Sequence, residues 1–374
     1  REPDHVDALN NLAVVRCGQR RLADAEAIYR RLLARLPDAP HVRNNLAVVL
    51  RDLGQKDEPV PLLTRAVELA PDYADAWRNL GFALIDLERH DEAARALFEA
   101  ARLQPQTAEI EANLARALHA SGRTPEALEH GRTALEIKDR HACLAFSGSG
   151  GKPLAARTPP AFNPATPARN IIAFSLWGTA RCYTQGALEN AALAHRIYPG
   201  WTCRFYVDSS VTAEVVAELR RLEAQVVEMP EQRGPNYGLF WRFLAADDPA
   251  VDRFLCRDCD ARLNAREAAA VQAWLASPFA FHAMRDAPFH TELLLAGLWG
   301  RVGGALSGIG AAIDRFYRPG QHRWVDQDFL RLVIWPRIRP QLLTHDGWYD
   351  GLGAVPFPEG TRLEWPDHVG AGRV

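Results

Sequence analysis

The pair of side chains with the clearest chemical potential is Asp258 and Asp260, two carboxylates one residue apart, directly after the apolar run Arg253-Phe-Leu-Cys256. Carboxylates placed where a buried strand emerges can jointly hold a divalent cation, Mn²⁺ or Mg²⁺, against a diphosphate. The triplet alone says little, and the strand before it carries the weight. Nearby, Arg242 and Arg257 could balance diphosphate charge, because guanidinium pairs bidentately with phosphate. Trp177 and Tyr183 follow an earlier apolar run, where a base can stack, although core packing explains aromatics there equally well. Asp208, just past a second such run, could take a hydrogen bond from base or ribose, with turn chemistry as its rival. Cys256 and Cys259 form a lone CxxC; no second ligand pair follows, and the motif ends an apolar run instead of opening a helix, which disfavours both zinc and redox use.

These residues need a sheet to position them. Residues 171–176 form a strand-length apolar run, followed by Gly178 and a helical stretch through Tyr198; Cys203–Val207, a helix at Ala213–Leu222 and Val226–Met229 come next. Strand alternating with helix predicts a mostly parallel α/β sheet with right-handed crossovers, and a nucleotide site at the carboxyl ends of its strands. A further helix is expected around Phe240–Ala246, just before the Arg253–Cys256 strand.

The amino-terminal part reads differently. Asn11-Leu12-Ala13, Asn45-Leu46-Ala47, Asn79-Leu80-Gly81 and Asn113-Leu114-Ala115 recur every 34 residues, the period of tetratricopeptide repeats. In the same phase stand Ala25, Pro59, Ala93 and Ala127, then Ala66, Ala100 and Ala134, with Pro37, Pro71 and Pro105 as punctuation. Pro59 either sits in the first turn of its helix or distorts the second repeat. Each repeat buries its apolar face only against neighbours, so further repeats are expected ahead of residue 1. The first helices should line a concave binding face. Asn11, Asn45, Asn79 and Asn113 are expected to project there in a row, each carboxamide offering a donor and an acceptor to a peptide backbone.

The organisation expected is therefore multidomain: about four repeats forming an all-α solenoid over 1–140, a Pro/Gly-rich linker over 141–168 and an α/β domain over 169–374. The chain has 374 residues, 48% hydrophobic and 24% charged, with a formal net charge of -2. That balance gives no general electrostatic reason to expect nucleic acid or an anionic membrane as partner. No apolar run is long enough to cross a bilayer, and the opening Arg1-Glu2-Pro3-Asp4 carries neither an initiator Met nor a signal-like segment, which suggests a piece of a longer chain. Six scattered cysteines fit a reducing cytoplasm better than a disulfide scaffold.

Arg242-Phe-Leu244 followed by Asp252-Arg-Phe-Leu-Cys-Arg-Asp-Cys-Asp260 resembles the "Arg, helix, strand, DxD" signature of GT-A glycosyltransferases, and the order resembles glycosyltransferase family eight. Leu295-Ala-Gly297-Leu-Trp299 is similar to that family's acceptor-side strand, Asp326-Gln327-Asp328-Phe-Leu330 to its (Asn/Asp)-Gln-Asp-x-Leu-Asn element, and Thr344-His345-Asp-Gly-Trp348 to its terminal His motif. Leu295 replaces an Asn, Arg331 stands where another Asn is expected, and the Lys-Pro-Trp after the His is missing; a related but separate family is implied. The Asn row resembles the one that holds acceptor polypeptides in O-GlcNAc transferase.

The resemblance implies a Rossmann-like GT-A domain with Asp258 and Asp260 on the cation and the donor's ribose and phosphates. It implies His345 as third ligand, with imidazole suiting Mn²⁺ better than Mg²⁺. Asp326, Gln327 and Asp328 would lie at the donor–acceptor boundary, stabilising an oxocarbenium-like transition state or acting as general base; capping a helix is the rival role for Asp326. Asp286 and His290 are further acid/base candidates. The expected activity is transfer of a sugar from a nucleotide sugar, a UDP-sugar foremost, to a protein or peptide held by the repeats. A glycan or lipid-linked saccharide acceptor, with the repeats as docking module, and an inactive transferase-like scaffold are the alternatives.

Overall fold

The computed structural model describes residues 6–155, 158–230, 233–361, 363 and 367–372; the Arg1–Asp4 opening lies outside them. Two compact units are present, Arg1–Ile137 and Lys138–Val374.

Eight helices fill the first unit and lead out of it: α1 (Val6–Gly18), α2 (Leu22–Arg35), α3 (Pro40–Asp52), α4 (Pro59–Leu69), α5 (Ala74–Asp86), α6 (His90–Leu103), α7 (Ala108–Ala120) and α8 (Thr124–Gly148). Positions in the 34-residue phase pack, apart from Leu12 of the first repeat, which is 40% exposed. Leu46, Leu80 and Leu114 are buried, as are Ala25, Ala93, Ala127, Ala66, Ala100 and Ala134. Pro59 occupies the first turn of α4, where its missing N–H removes no helical bond. Helix α8 continues past residue 140, and from Lys138 it belongs to the second unit. There Lys138 Nζ donates to the Thr291 carbonyl (2.9 Å) and Asp139 Oδ1 accepts from Trp335 Nε1 (2.8 Å). The Pro-rich stretch that follows is laid on this unit: Leu154 N donates to Arg337 O (2.9 Å), and Phe162 stacks on Trp201.

The second unit is built on a seven-stranded mixed sheet ordered β3-β2-β1-β4-β6-β5-β7. The strands are β1 (Asn170–Leu176), β2 (Thr202–Val207), β3 (Gln225–Glu228), β4 (Arg253–Cys256), β5 (Phe281–Arg285), β6 (Trp299–Val302) and β7 (Leu342–Asp346). All pairings are parallel except those of β6, which runs antiparallel to both β4 and β5. Leu295–Leu298 precedes β6 as bend and turn, so the segment expected as a strand contributes only its last residue. The stretch around Phe240–Ala246 is a 3-10 helix, Tyr237–Ala246, entered through Asn236 in the left-handed region (φ 68°).

The chain lays down β1, β2 and β3 in one direction, then crosses back to place β4 on the other side of β1. A crevice opens between the carboxyl ends of two strands whose connections leave in opposite directions. Helix α9 (Arg181–Ile197) fixes that crevice. Asn190, fully buried, donates through Nδ2 to Ala261 O (2.8 Å) and accepts at Oδ1 from Leu263 N (3.0 Å). One turn earlier, Gly186 packs so closely on the Cys259 carbonyl that a Cβ would overlap it. Arg262 pairs with Glu189 and donates to the carbonyls of Cys259 (3.1 Å) and Asp260 (3.0 Å). Thus α9 grips the turn that follows β4. Asn190→Ala strands a buried N–H and a buried C=O, so chemical denaturation is expected to show a loss of about 2–4 kcal/mol; a loss below about 0.5 kcal/mol would mean the turn holds itself.

Candidate functional site

A cavity of about 470 Å³ lies at this crevice, lined by Trp177 and Tyr183 after β1, by Asp258 and Asp260 after β4, by Arg242, and by Arg323, Trp324, Asp326 and Gln327. Asp258 and Asp260 therefore open into one cleft. Asp258 is tucked against Gly297, where any side chain would collide with its carboxylate. Burial, then the neighbouring Asp258 charge, raises the Asp260 carboxyl above the usual range. Trp177 meets Trp241 edge to face and Tyr183 is half exposed at the rim.

Arg242 is the electrostatic hub. Its guanidinium pairs with Asp258 and donates to Asp326 Oδ2 (3.0 Å), and its backbone N–H donates to Ser175 Oγ (3.0 Å). Burial alone would lower its pKa, yet Asp258 and Asp326 together hold it above its ordinary value. For Asp326 the balance goes the other way: burial, with the Asp258 charge added, outweighs Arg242 and pushes the carboxyl up to about 6. Its Oδ1 also accepts from Gln327 N (3.0 Å).

Asp326, Gln327 and Asp328 belong to the short helix Val325–Phe329, and successive helical residues point about 100° apart, so they cannot share one face. Gln327 lines the cavity but commits its carboxamide to backbone: with the amide oriented so that both of its ends are satisfied, Nε2 donates to Leu294 O (2.7 Å) and Oε1 accepts from Ala296 N (3.1 Å). Asp328 turns away to Arg331 and to His322 Nε2 (2.8 Å); a catalytic role for it is corrected.

Five other expected roles are corrected. Arg257 leaves β4 one position out of phase with Asp258, so its guanidinium is buried with Glu267 (3.4 Å) and the Tyr198 hydroxyl (3.2 Å). His345 lies inside β7, paired across from Met284. Three strand spacings separate β7 from β4, about 14 Å laterally, too far for a shared ion. Its Nδ1 meets His282 Nε2 at 2.9 Å, and burial lowers its pKa to about 4. Asp286 is spent on Arg266 (2.7 and 2.8 Å) and the Val369 N–H (3.0 Å). His290 Nδ1 accepts from Asp286 N (3.0 Å), and burial drives its pKa down to about 3, leaving a neutral acceptor. Asp208 does not line the cavity; it accepts from Ser210 N (3.0 Å) in a turn whose Ser210 hydroxyl accepts from Gly178 N (2.6 Å). Both CxxC thiols are free and buried, Cys259 Sγ facing Ser175 O and Cys256 Sγ facing Arg242 O.

The asparagine row is also uneven. Asn11 is exposed, but Asn79 is buried and donates to Asn44 Oδ1 of the preceding repeat (2.8 Å). Asn45 Oδ1 accepts from Asn44 Nδ2 (3.2 Å), and Asn113 Nδ2 bonds back to Glu109 O (2.9 Å). A ladder of four free carboxamides is thus corrected: the amides serve the array's own packing first.

With that geometry in view, a tetratricopeptide repeat family model matches residues 1–40, 44–108 and 83–142. The helical repeats are tetratricopeptide repeats. Such repeats are protein-interaction modules. Among solved structures, a crystal structure of MamA is 22% identical, covering 38% of this chain and 82% of its own, at TM-score 0.36. MamA AMB-1 is 29% identical over 35% and 72% (TM-score 0.33), and MamA from residue 41, of Desulfovibrio magneticus RS-1, is 20% identical over 37% and 77% (TM-score 0.35). No curated protein matches the sequence. No helix among the described residues is long and apolar enough to cross a membrane.

Sequence reasoning passed over Arg323, Trp324 and Gly370, all on the cavity wall. Gly370 arrives with Asp367–Gly372, a segment brought back to the site by a bridge between Gly372 and Ala261. An Arg-Trp pair two residues before Asp326 was the available signal. The raised Asp326 carboxyl makes a testable statement. The folded chain holds this proton more tightly than the unfolded one, so stability falls as pH rises from about 4 through about 6, by about 3 kcal/mol for a shift of two units. Carboxyl-carbon NMR is expected to show a midpoint near 6 that vanishes in Asp326→Asn; a midpoint near 4 contradicts the reading.

Proposed function

We propose that the second unit is a metal-dependent glycosyltransferase domain of the GT-A type, moving a sugar from a nucleotide sugar, a UDP-sugar foremost, to a protein or peptide recruited by the repeats. One observation carries the reading: Asp258 and Asp260 face a single cavity at the switch point between β1 and β4, the position where α/β sheets take nucleotides.

The donor set fits a hard divalent cation. Two carboxylates supply oxygen ligands, and among the described residues no cluster of three His, Cys, Asp or Glu is formed. Mg²⁺ and Mn²⁺ sites of this kind complete their shells with substrate phosphates and water. A cation bound there neutralises the departing diphosphate. The chain's own groups do the remainder: Arg242 fixes Asp258 and Asp326, Gln327 secures the Leu294–Ala296 backbone beside them, and Trp177 and Tyr183 offer apolar surface for a base. Asp326, a buried carboxyl on the cavity wall that burial holds above its ordinary range, is the group suited to hold or accept a proton at the reacting centre. The repeats supply the protein-binding surface that a polypeptide acceptor requires.

A panel of nucleotide sugars tested for thermal stabilisation with and without Mn²⁺ examines this directly, since a ligand at a hundred times its Kd adds about 2.7 kcal/mol. At least one nucleotide sugar is expected to stabilise the protein only with Mn²⁺, and Asp258→Ala or Asp260→Ala is expected to abolish both that gain and sugar transfer. Transfer that persists in both variants under chelator would exclude the metal role. Mn²⁺-dependent donor binding without transfer would leave an inactive scaffold.

A further inference from the structure

The two arginines expected to meet a diphosphate are both committed elsewhere: Arg257 is in the core with Glu267, and Arg242 is shared between Asp258 and Asp326. A third arginine lines the same cavity. Arg323 is exposed on its wall and, among the described residues, makes neither an ion pair nor a hydrogen bond. Its partner among the described residues is Trp324, over whose ring the guanidinium carbon sits at 4.6 Å. Trp324 itself is 56% exposed, more than any other tryptophan among the described residues, and lines the cavity.

Stacking on an indole engages the face of a guanidinium and leaves its in-plane N–H donors free, while restricting the rotamers of a flexible side chain. The charge of the cavity points the same way. Among the described residues the cationic side chains on the wall are Arg242, already shared between Asp258 and Asp326, and Arg323, which is left to meet the negative charge of a sugar-linked diphosphate beside the cation. Bidentate donation to phosphate oxygens is what an unpaired, pre-oriented guanidinium supplies.

We propose that Arg323, seated on Trp324, is the residue that binds the diphosphate of the nucleotide ligand, and that Trp324 is a positioning residue acting through it. The proposal rests on the cavity being a nucleotide-sugar site. Neither residue belongs to the motifs that suggested that reading.

Isothermal titration of the full chain with UDP, GDP and inorganic pyrophosphate in the presence of Mn²⁺, and with Mn²⁺ alone, tests it on wild type, Arg323→Gln, Arg323→Lys, Trp324→Leu and Asp260→Asn. Arg323→Gln is expected to weaken the tightest diphosphate at least tenfold with Mn²⁺ affinity unchanged, Arg323→Lys to recover part of the loss, and Trp324→Leu to cost a smaller factor than Arg323→Gln. Arg323→Gln binding within twofold of wild type, while Asp260→Asn loses the ligand, overturns the proposal and leaves the nucleotide site standing. Equal loss of Mn²⁺ affinity in Arg323→Gln also overturns it, because the substitution would then be acting on the whole cavity. Absence of diphosphate binding by wild type overturns this proposal and the transferase reading together.

Discussion

Everything at the cavity depends on how α9 holds the turn after β4. A two-carboxylate site needs its aspartates placed to within a fraction of an ångström, and a turn leaving a short strand has little rigidity of its own. Asn190 supplies both a donor and an acceptor to Ala261 and Leu263, and Gly186 lets the helix backbone come close enough to support the Cys259 carbonyl. The same helix begins just after Trp177 and Gly178, with Tyr183 in its first turn at the cavity rim. One element thus sets the position of the carboxylates and of the aromatic wall beside them.

The charges around that turn are arranged with a deliberate imbalance. One buried arginine serves Asp258 and Asp326 and leaves Asp260 without it, while burial, with the Asp258 charge added, raises Asp260 and holds Asp326 at about 6. Buried ionic groups add little net stability and are costly when one partner is missing. Such crowding of like charge is what a cation would relieve, and perturbed carboxyls gathered in a cleft are a frequent mark of function. Elsewhere in the unit, Arg285 with Asp346 and Arg266 with Asp286 form ion pairs outside the cavity lining; they hold elements together.

Much of this organisation was legible in the sequence because it rests on periodicity. A 34-residue repeat specifies which leucines and alanines are buried, and strand–helix alternation gave β1 to β4 with the carboxylates just beyond β4. What escaped was whatever depends on partners distant in the chain. No spacing rule shows that Asp286 meets Arg266, that Arg257 falls on the wrong face, or that β7 lies three strands from β4 once β6 and β5 intervene. His345 matched a motif by its neighbours in the chain, whereas its place in the sheet removes it from the site. The asparagines failed for a related reason: a residue on the inner side of a repeat can bond the next repeat before it meets any ligand, as Asn79 does with Asn44.

The account is tested most directly by locating the ion. Crystals of the protein grown with MnCl₂ and a nucleoside diphosphate, measured at the manganese absorption edge, are expected to give an anomalous peak bonded to carboxylate oxygens of both Asp258 and Asp260, at about 2.1–2.3 Å as hard-cation coordination requires. A peak elsewhere in the molecule with none at these aspartates, or no peak at saturating Mn²⁺ and diphosphate, would contradict it.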